Sequence, residues 1–272
     1  MKKLAAALAL SLLPLAFAAQ AEITTTDVVG RKVTVPDVPK RVVLGFYYED
    51  YLAIAGPGSL DRVVGLSLTT WKDWRPKQFA AYEKALPKLK TLPDVGSTDD
   101  NTFSIEKLIA TKPDLLILAT FSYEALGESV KQIEAAGIPV LVLDYLSQTV
   151  DKHVASTLAL GKIMGQEKRA QELADNYRKA FEDIDARIKK AGPTKKKVYF
   201  ELAQKGASEV GNSYGNSMWG ALVTRLGGHN IADGQVGNWG PLSPEYVLSQ
   251  KPDLIFLAGS EWLNKPQAVE MG

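Results

Sequence analysis

One stretch of this chain occurs twice, and that repeat constrains the fold more than any other feature of the sequence. Ser104-Ile-Glu106-Lys-Leu-Ile-Ala-Thr-Lys112-Pro113-Asp114-Leu-Leu-Ile-Leu-Ala119 returns 139 residues later, without a gap, as Ser243-Pro-Glu245-Tyr-Val-Leu-Ser-Gln-Lys251-Pro252-Asp253-Leu-Ile-Phe-Leu-Ala258. Each part has a physical reading. The serine caps a helix, the glutamate sits in its first turn, and Lys-Pro-Asp turns the chain into a buried strand. A period this long is not that of a solenoid. It implies two lobes that each carry the same helix–turn–strand unit.

The surrounding pattern agrees. Val42-Val43-Leu44, Val63-Val64-Gly65-Leu66, Leu115-Leu116-Ile117-Leu118 and Val140-Leu141-Val142-Leu143 are short, continuously apolar runs. Such runs suit parallel strands covered on both faces. Helical patterns at 104–111 and 124–136 lie between them, the second stopped by Gly137 and Pro139. That alternation predicts an α/β lobe over 22–149. Residues 150–192 carry no strand pattern. Leu173, Tyr177, Phe181, Ile184 and Ile188 recur at helical steps, one face of a long helix that Gly192-Pro193 ends. A second α/β lobe begins with Val198-Tyr199-Phe200-Glu201-Leu202 and occupies 193–272. The expected fold is two Rossmann-like lobes joined by one long helix, with a ligand cleft between them. After Ala258 only 14 residues remain, so the second lobe is expected to be truncated.

The N-terminus fixes the expected compartment. Lys2 and Lys3 precede an apolar stretch, Leu4 to Phe17, followed by Ala19-Gln20-Ala21. This is the order of a cleavable secretory leader spanning residues 1–21. The chain has no cysteine. A lipid-anchored lipoprotein, a disulfide scaffold and a thiolate metal site are therefore not expected. A free protein of the periplasm is. Loss of the leader changes the formal net charge from +1 to −1, unlike the basic footprint of a nucleic-acid binder.

In open α/β sheets ligands bind beyond the carboxyl ends of the strands. The sequence places large polar aromatics there. Phe46-Tyr47-Tyr48-Glu49 follows the first strand and Trp71-Lys72-Asp73-Trp74-Arg75 the second. Phe121-Ser122-Tyr123, Asp144-Tyr145 and Glu261-Trp262 follow later ones, and Tyr214, Trp219 and Trp239 stand in the second lobe's connections. All five tryptophans are expected outside the strands and long helices, where an aromatic wall suits a flat, bulky chelate. Arg75, with Lys72 or Lys205, would pair with anionic groups. Bare zinc or manganese fits poorly, because the only imidazoles are His153 and His229. A metal cargo, if there is one, would have to arrive inside its own chelator, and no intrinsic cofactor is expected. A tyrosine such as Tyr47 or Tyr48 could instead ligate haem iron.

An enzyme is the competing class. Gly211-Asn-Ser213-Tyr-Gly215 matches the nucleophile-elbow pattern of secreted serine esterases. That motif needs a strand running straight into the turn, whereas about eight residues separate Leu202 from Gly211. No enzymatic activity is expected.

The motifs in their shared order resemble the periplasmic binding proteins of the ferric siderophore, haem and cobalamin importers. Thr26-Asp27-Val-Val-Gly30-Arg31-Lys-Val33-Thr-Val35-Pro36 with Pro39-Lys-Arg41-Val42-Val43 is similar to the family's opening hairpin. Both Lys-Pro-Asp-Leu strands, Ala136-Gly137-Ile138-Pro139-Val140 and Leu226-Gly227-Gly228-His229-Asn230-Ile231-Ala232 also match. The resemblance implies the substrate-binding component of an ABC importer. Its ligand would be an iron chelate, a ferric siderophore before haem, cobalamin or an oxyanion. Its partner would be a permease dimer with a cytoplasmic ATPase. It also implies that Glu106 and Glu245, one per lobe, dock onto arginines of the two permease subunits.

Overall fold

The computed structural model of the chain describes residues 22–192, 194, 196–203 and 211–259. The expected leader, Lys205 and Trp262 lie outside the described residues.

Strands β1 (Ile23–Thr26) and β2 (Lys32–Val35) form an antiparallel hairpin. The buried Asp27 closes its turn by accepting from Val29 N and Arg31 N and by pairing with the Arg31 guanidinium. Then follow β3 (Val42–Leu44), α1 (Tyr48–Ala55), β4 (Val63–Leu66), α2 (Leu68–Lys72), α3 (Pro76–Ala85) and α4 (Ile105–Ala110). The lobe continues through β5 (Leu115–Ala119), α5 (Thr120–Leu126), α6 (Ser129–Ala135) and β6 (Val140–Leu143). The sheet is parallel with order β4-β3-β5-β6. Its unbroken apolar runs have a direct cause. Leu44, Leu115, Ile117, Leu141 and Leu143 pack on one face, and Val43, Leu116, Leu118, Val140 and Val142 on the other. The helix expected over 124–136 is two helices, because Gly127 at φ 49° leaves the helical region and ends α5.

Helix α7 (Val150–Ile163) packs on α1, β1 and β6, so it is part of the first lobe. Only α8 (Glu167–Ala191) carries the chain across, 25 residues and about 37 Å long. The two helices approach closely at Gly161, where a Cβ would stand 2.1 Å from Ala170 Cβ.

The second lobe holds β7 (Lys197–Leu202), β8 (Asn212–Tyr214), α9 (Met218–Arg225), β9 (His229–Asn230), β10 (Trp239–Pro241), α10 (Pro244–Gln250) and β11 (Leu254–Ala258). Its parallel sheet has order β11-β7-β9, and β8 pairs antiparallel with β10. In both lobes the first strand lies in the middle, the next joins one side, and the strand of the repeat joins the other.

The repeat acts as a structural clip. Lys112 and Lys251 adopt left-handed φ of 49° and 48°, turning the chain off its helix. The carboxylate of Asp114 then accepts from Lys40 N and Arg41 N at 2.8 Å, just before β3. Asp253 accepts from Lys197 N, at the start of β7, at 2.7 Å. Each aspartate joins the first strand of its lobe to the strand that follows the clip. The repeats differ in cover: β5 is fully buried, whereas Leu254, Ile255, Phe256 and Leu257 of β11 are exposed.

One tryptophan requires a correction: Trp239 lies in strand β10, whereas Trp71 and Trp219 lie in the short helices α2 and α9. These elements are so short that neither helical nor alternating periodicity shows in the sequence. Trp74 alone among the described tryptophans lies between elements.

Candidate ligand-binding crevice

The order β4-β3-β5-β6 reverses direction between β3 and β5, and a crevice opens outside the carboxyl ends at such a point. Gly45 allows it to form tightly: its N–H donates to Ile117 O at 2.8 Å, and a Cβ there would stand 2.7 Å from Leu118 Cδ2. Beyond Gly45 the chain offers Phe46. Its ring meets Phe121, after β5, at 5.1 Å, Tyr47 at 5.0 Å and Trp74 at 6.5 Å. Phe46 and Phe121, both in the aromatic runs that the sequence places at strand ends, bring two of those ends together.

Tyr47 adopts a left-handed φ of 59°, a conformation non-glycine residues hold only where surroundings enforce it. The enforcement comes from the turn after β6: Tyr145 N donates to the Tyr47 hydroxyl at 3.1 Å and the two rings meet edge-on at 4.9 Å. Both tyrosines are buried, and burial raises the pKa of each hydroxyl. The contacts continue away from the crevice. Tyr145 meets His153, which stacks on Tyr177 of α8 at 3.6 Å, and Tyr177 meets Phe181. The guanidinium of Arg225, from α9, lies 4.4 Å over Phe181 and pairs with Asp185 at 2.7 Å. Burial lowers the His153 pKa to about 4. A row of rings therefore runs from the first lobe's crevice, through α8, to the second lobe.

Tyr48 and Trp71 are buried in this structure, 2% and 1% exposed, and stack face to face at 4.6 Å with Phe79 and Tyr82 against the indole. The Tyr48 hydroxyl bonds Ser67 O and the Thr70 hydroxyl. These two rings form a platform under the crevice and not its surface. The platform holds Glu49: Trp71 Nε1 donates to Glu49 Oε1 at 3.0 Å, and Arg75 Nη1 stands 3.6 Å from Glu49 Oε2. Tyr123 is placed elsewhere. It packs on the opposite face of the sheet, under the guanidinium of Arg31 at 4.6 Å.

The second lobe presents a matching patch. Tyr214 and Trp239 are direct partners across the β8–β10 ladder, so their side chains share a face. Trp219 stacks on Phe200 at 5.4 Å. Trp219 and Trp239 are 46% and 50% exposed, large apolar surfaces left uncovered. The lobes meet beside them: Met218 N donates to Leu146 O at 3.2 Å. Arg75 of the first lobe is near enough to Tyr214 to oppose the rise that burial imposes on its pKa. A cavity of about 870 Å³ borders this contact on the α8 side, lined by Ser147, Lys152, Arg178, Asp185, Asn216 and Arg225. Neither Trp219 nor Trp239 lines it, and its cations Lys152, Arg178 and Arg225 are already paired with Asp144, Asp175 and Asp185, so the crevice is the better candidate for a ligand site.

Ser213, the residue of the esterase pattern, is fully buried in β8 and donates its hydroxyl to Phe200 O at 2.6 Å. A serine so placed offers no nucleophile. Among the described residues no three histidine or carboxylate side chains gather as a metal site, and no helix is long and apolar enough to cross a membrane.

Glu106 and Glu245 are exposed in the first turns of α4 and α10. In each helix the capping serine accepts an N–H, from Lys107 and Tyr246 respectively. Glu106 also accepts from the Ser104 hydroxyl at 2.9 Å, and hydrogen bonds from the helix start and from Ser104 lower its pKa.

Comparison with known proteins agrees with this architecture. The TroA-like periplasmic binding protein FepB from Veillonella parvula superposes with a TM-score of 0.76 at 31% identity, over 90% of this chain and 72% of that one. Molybdate-bound MolA of Haemophilus influenzae shares the fold, with a TM-score of 0.71 at 21% identity over 91% and 77% of the two chains. The uncharacterized ABC transporter substrate-binding lipoprotein YvrC of Bacillus subtilis is 26% identical over 234 residues, 86% of this chain and 68% of its own. The chain thus spans between 68% and 77% of the length of these relatives. The periplasmic binding protein family profile matches residues 43–271, nearly the whole of both lobes, and the chain belongs to that family.

Proposed function

We propose that this protein is the periplasmic substrate-binding component of an ABC importer for an iron chelate, a ferric siderophore above the other ligands of such systems. One observation carries the ligand reading. Beyond the first lobe's strand ends the half-buried Trp74 and Phe121 pack on Phe46, and the second lobe leaves Trp219 and Trp239 exposed beside the interlobe contact of Met218 with Leu146. Two aromatic walls suit a bulky, flat-faced ligand that brings its own metal. The likeness to FepB and YvrC supports the transport role. The leader pattern in residues 1–21 supports export to the periplasm.

The molybdate-bound MolA neighbour favours an oxyanion as the second reading, with Arg75 as its natural contact. The crevice weighs against it, because a small tetrahedral anion has no use for two walls of rings. Haem, through an axial tyrosine, requires Tyr47 or Tyr48 to leave its buried position.

The same reading assigns Glu106 and Glu245 to docking on a permease dimer, whose cytoplasmic ATPase drives uptake. Both carboxylates are exposed at equivalent places on the two lobes.

Native mass spectrometry of the protein isolated from its own periplasm tests the ligand. A co-purified ferric chelate is the expected mass. Bound molybdate or free zinc in its place would overturn the chelate reading.

A further inference from the structure

Among the described residues, three carboxyl groups and one base stand where the central strands of the two lobes open into the crevice. Glu49 and Asp50 begin α1, the half-buried Glu201 lies one residue before the end of β7, and Arg75 lies between α2 and α3. The base is already engaged, 3.6 Å from Glu49 Oε2. Glu49 cannot easily turn away, because its other oxygen accepts the indole N–H of Trp71, which is 1% exposed and stacked on Tyr48. Rotation would leave a buried donor unsatisfied. Glu201 is likewise held, accepting from the Tyr199 hydroxyl at 2.9 Å. The nearby Asp144 is committed to Lys152 at 2.9 Å, and the adjacent exposed Lys72 and Asp73 offset one another. Asp50 reports the sign of the field: burial, and then the charge of Glu49, raise its pKa to about 6 in spite of Arg75.

We propose that Glu49 sets the charge class of the ligand, so that the crevice takes chelates that are cationic or uncharged where they meet α1 and disfavours polyanionic ones. This rests on the crevice being the ligand site. A polyanion would have to compete with Glu49 for Arg75. A cationic group would find Glu49 aimed and fixed, with no reorganisation needed.

Two iron probes of opposite charge test it, titrated into the whole protein while tryptophan fluorescence is followed. One is a ferric trihydroxamate carrying a free ammonium group, the other a trianionic ferric tris-catecholate. The wild-type protein is expected to prefer the trihydroxamate by about tenfold or more, a range that one fixed charge pair can supply. Glu49→Gln keeps an acceptor for Trp71 and is expected to narrow that preference to within about threefold. Tighter binding of the tris-catecholate by wild type, or a preference that Glu49→Gln leaves unchanged, overturns the charge assignment and leaves the crevice reading intact. Binding of neither probe removes the crevice as a chelate site, and the proposal with it.

Discussion

Trp71 and Glu49 are joined by a 3.0 Å hydrogen bond from a fully buried indole to a carboxylate at the crevice. The tryptophan acts on the site through the fold. Trp71→Ala should therefore cost about 3–5 kcal/mol in urea unfolding, the usual range for a buried large ring. Trp74, half-buried against Phe46, should behave differently. Trp74→Ala is expected to leave stability within about 1 kcal/mol while weakening ferric chelate binding by about 1–3 kcal/mol. Equal losses of stability in the two variants would contradict this division.

Asp50 has a distinct pH signature. Its folded pKa of about 6 lies above the ordinary 3.8, so the folded state binds the proton more readily than the unfolded chain. Its contribution to stability is present at low pH and is lost as pH rises through 6. Asp50→Asn should thus raise the melting temperature at pH 7.5 and bring little change near pH 4. His153 works in the opposite sense. Burial holds it near 4, below its ordinary 6.5, so its contribution is full above 6.5 and lost as pH falls toward 4. Once Asp50 is replaced, stability should decline more steeply than in wild type on going from pH 6.5 to 4, as melting curves across that range would record.

Docking makes a prediction in cells. The double variant Glu106→Arg with Glu245→Arg should abolish uptake. The affinity of the purified protein for its ligand should stay within about threefold, since neither helix start touches the crevice. Wild-type uptake by the double variant would reduce both glutamates to helix-end charges.

The aspartate clip can be tested alone. Asp114→Ala removes two backbone hydrogen bonds at the start of β3 and should cost about 1–2 kcal/mol by urea unfolding. Asp114→Asn, which keeps one acceptor, should recover part of the loss.

Motion between the lobes should be small. The single crossing helix α8 is held at its middle by His153 stacked on Tyr177 and farther on by Arg225 paired with Asp185. Small-angle scattering with and without ligand should give nearly the same radius of gyration. Asp185→Ala should widen the distribution of interlobe distances without altering the secondary structure.

Much of the fold was legible because burial on both faces of a parallel sheet leaves a plain mark. Val42–Leu44, Leu115–Leu118 and Val140–Leu143 read as strands, and the residues that cover each face can be named. The two Lys-Pro-Asp turns were legible for the same reason, since proline and the capping serine punctuate the chain. The site was legible only in outline. Loop aromatics at strand ends look alike in sequence, whether they stay half-exposed as Trp74 does, are buried as Trp71 is, or turn to the other face as Tyr123 does. What separates them is the direction of each side chain, which α2, α9 and β10 set and which is too local to leave a period. Glu49 shows the limit most clearly: its partners Trp71 and Arg75 lie more than twenty positions away, and no local pattern links the three.

The winding of the first lobe has a consequence for how the molecule assembles. Every pairing in its four-stranded sheet is closed between residues 42 and 143, and α7 completes its cover by residue 163. A chain that emerges N-terminus first therefore presents a finished sheet before β7 has appeared. Its longest closure, Val42 against Leu115, costs little more than a shorter loop would, because loop entropy grows only logarithmically with length. The second lobe then condenses onto a template, with α8 holding β7 at a fixed distance from a partner already in place. Folding of this protein should be vectorial, and the contact of Arg225 with Phe181, at the far end of the aromatic row, is among the last to close.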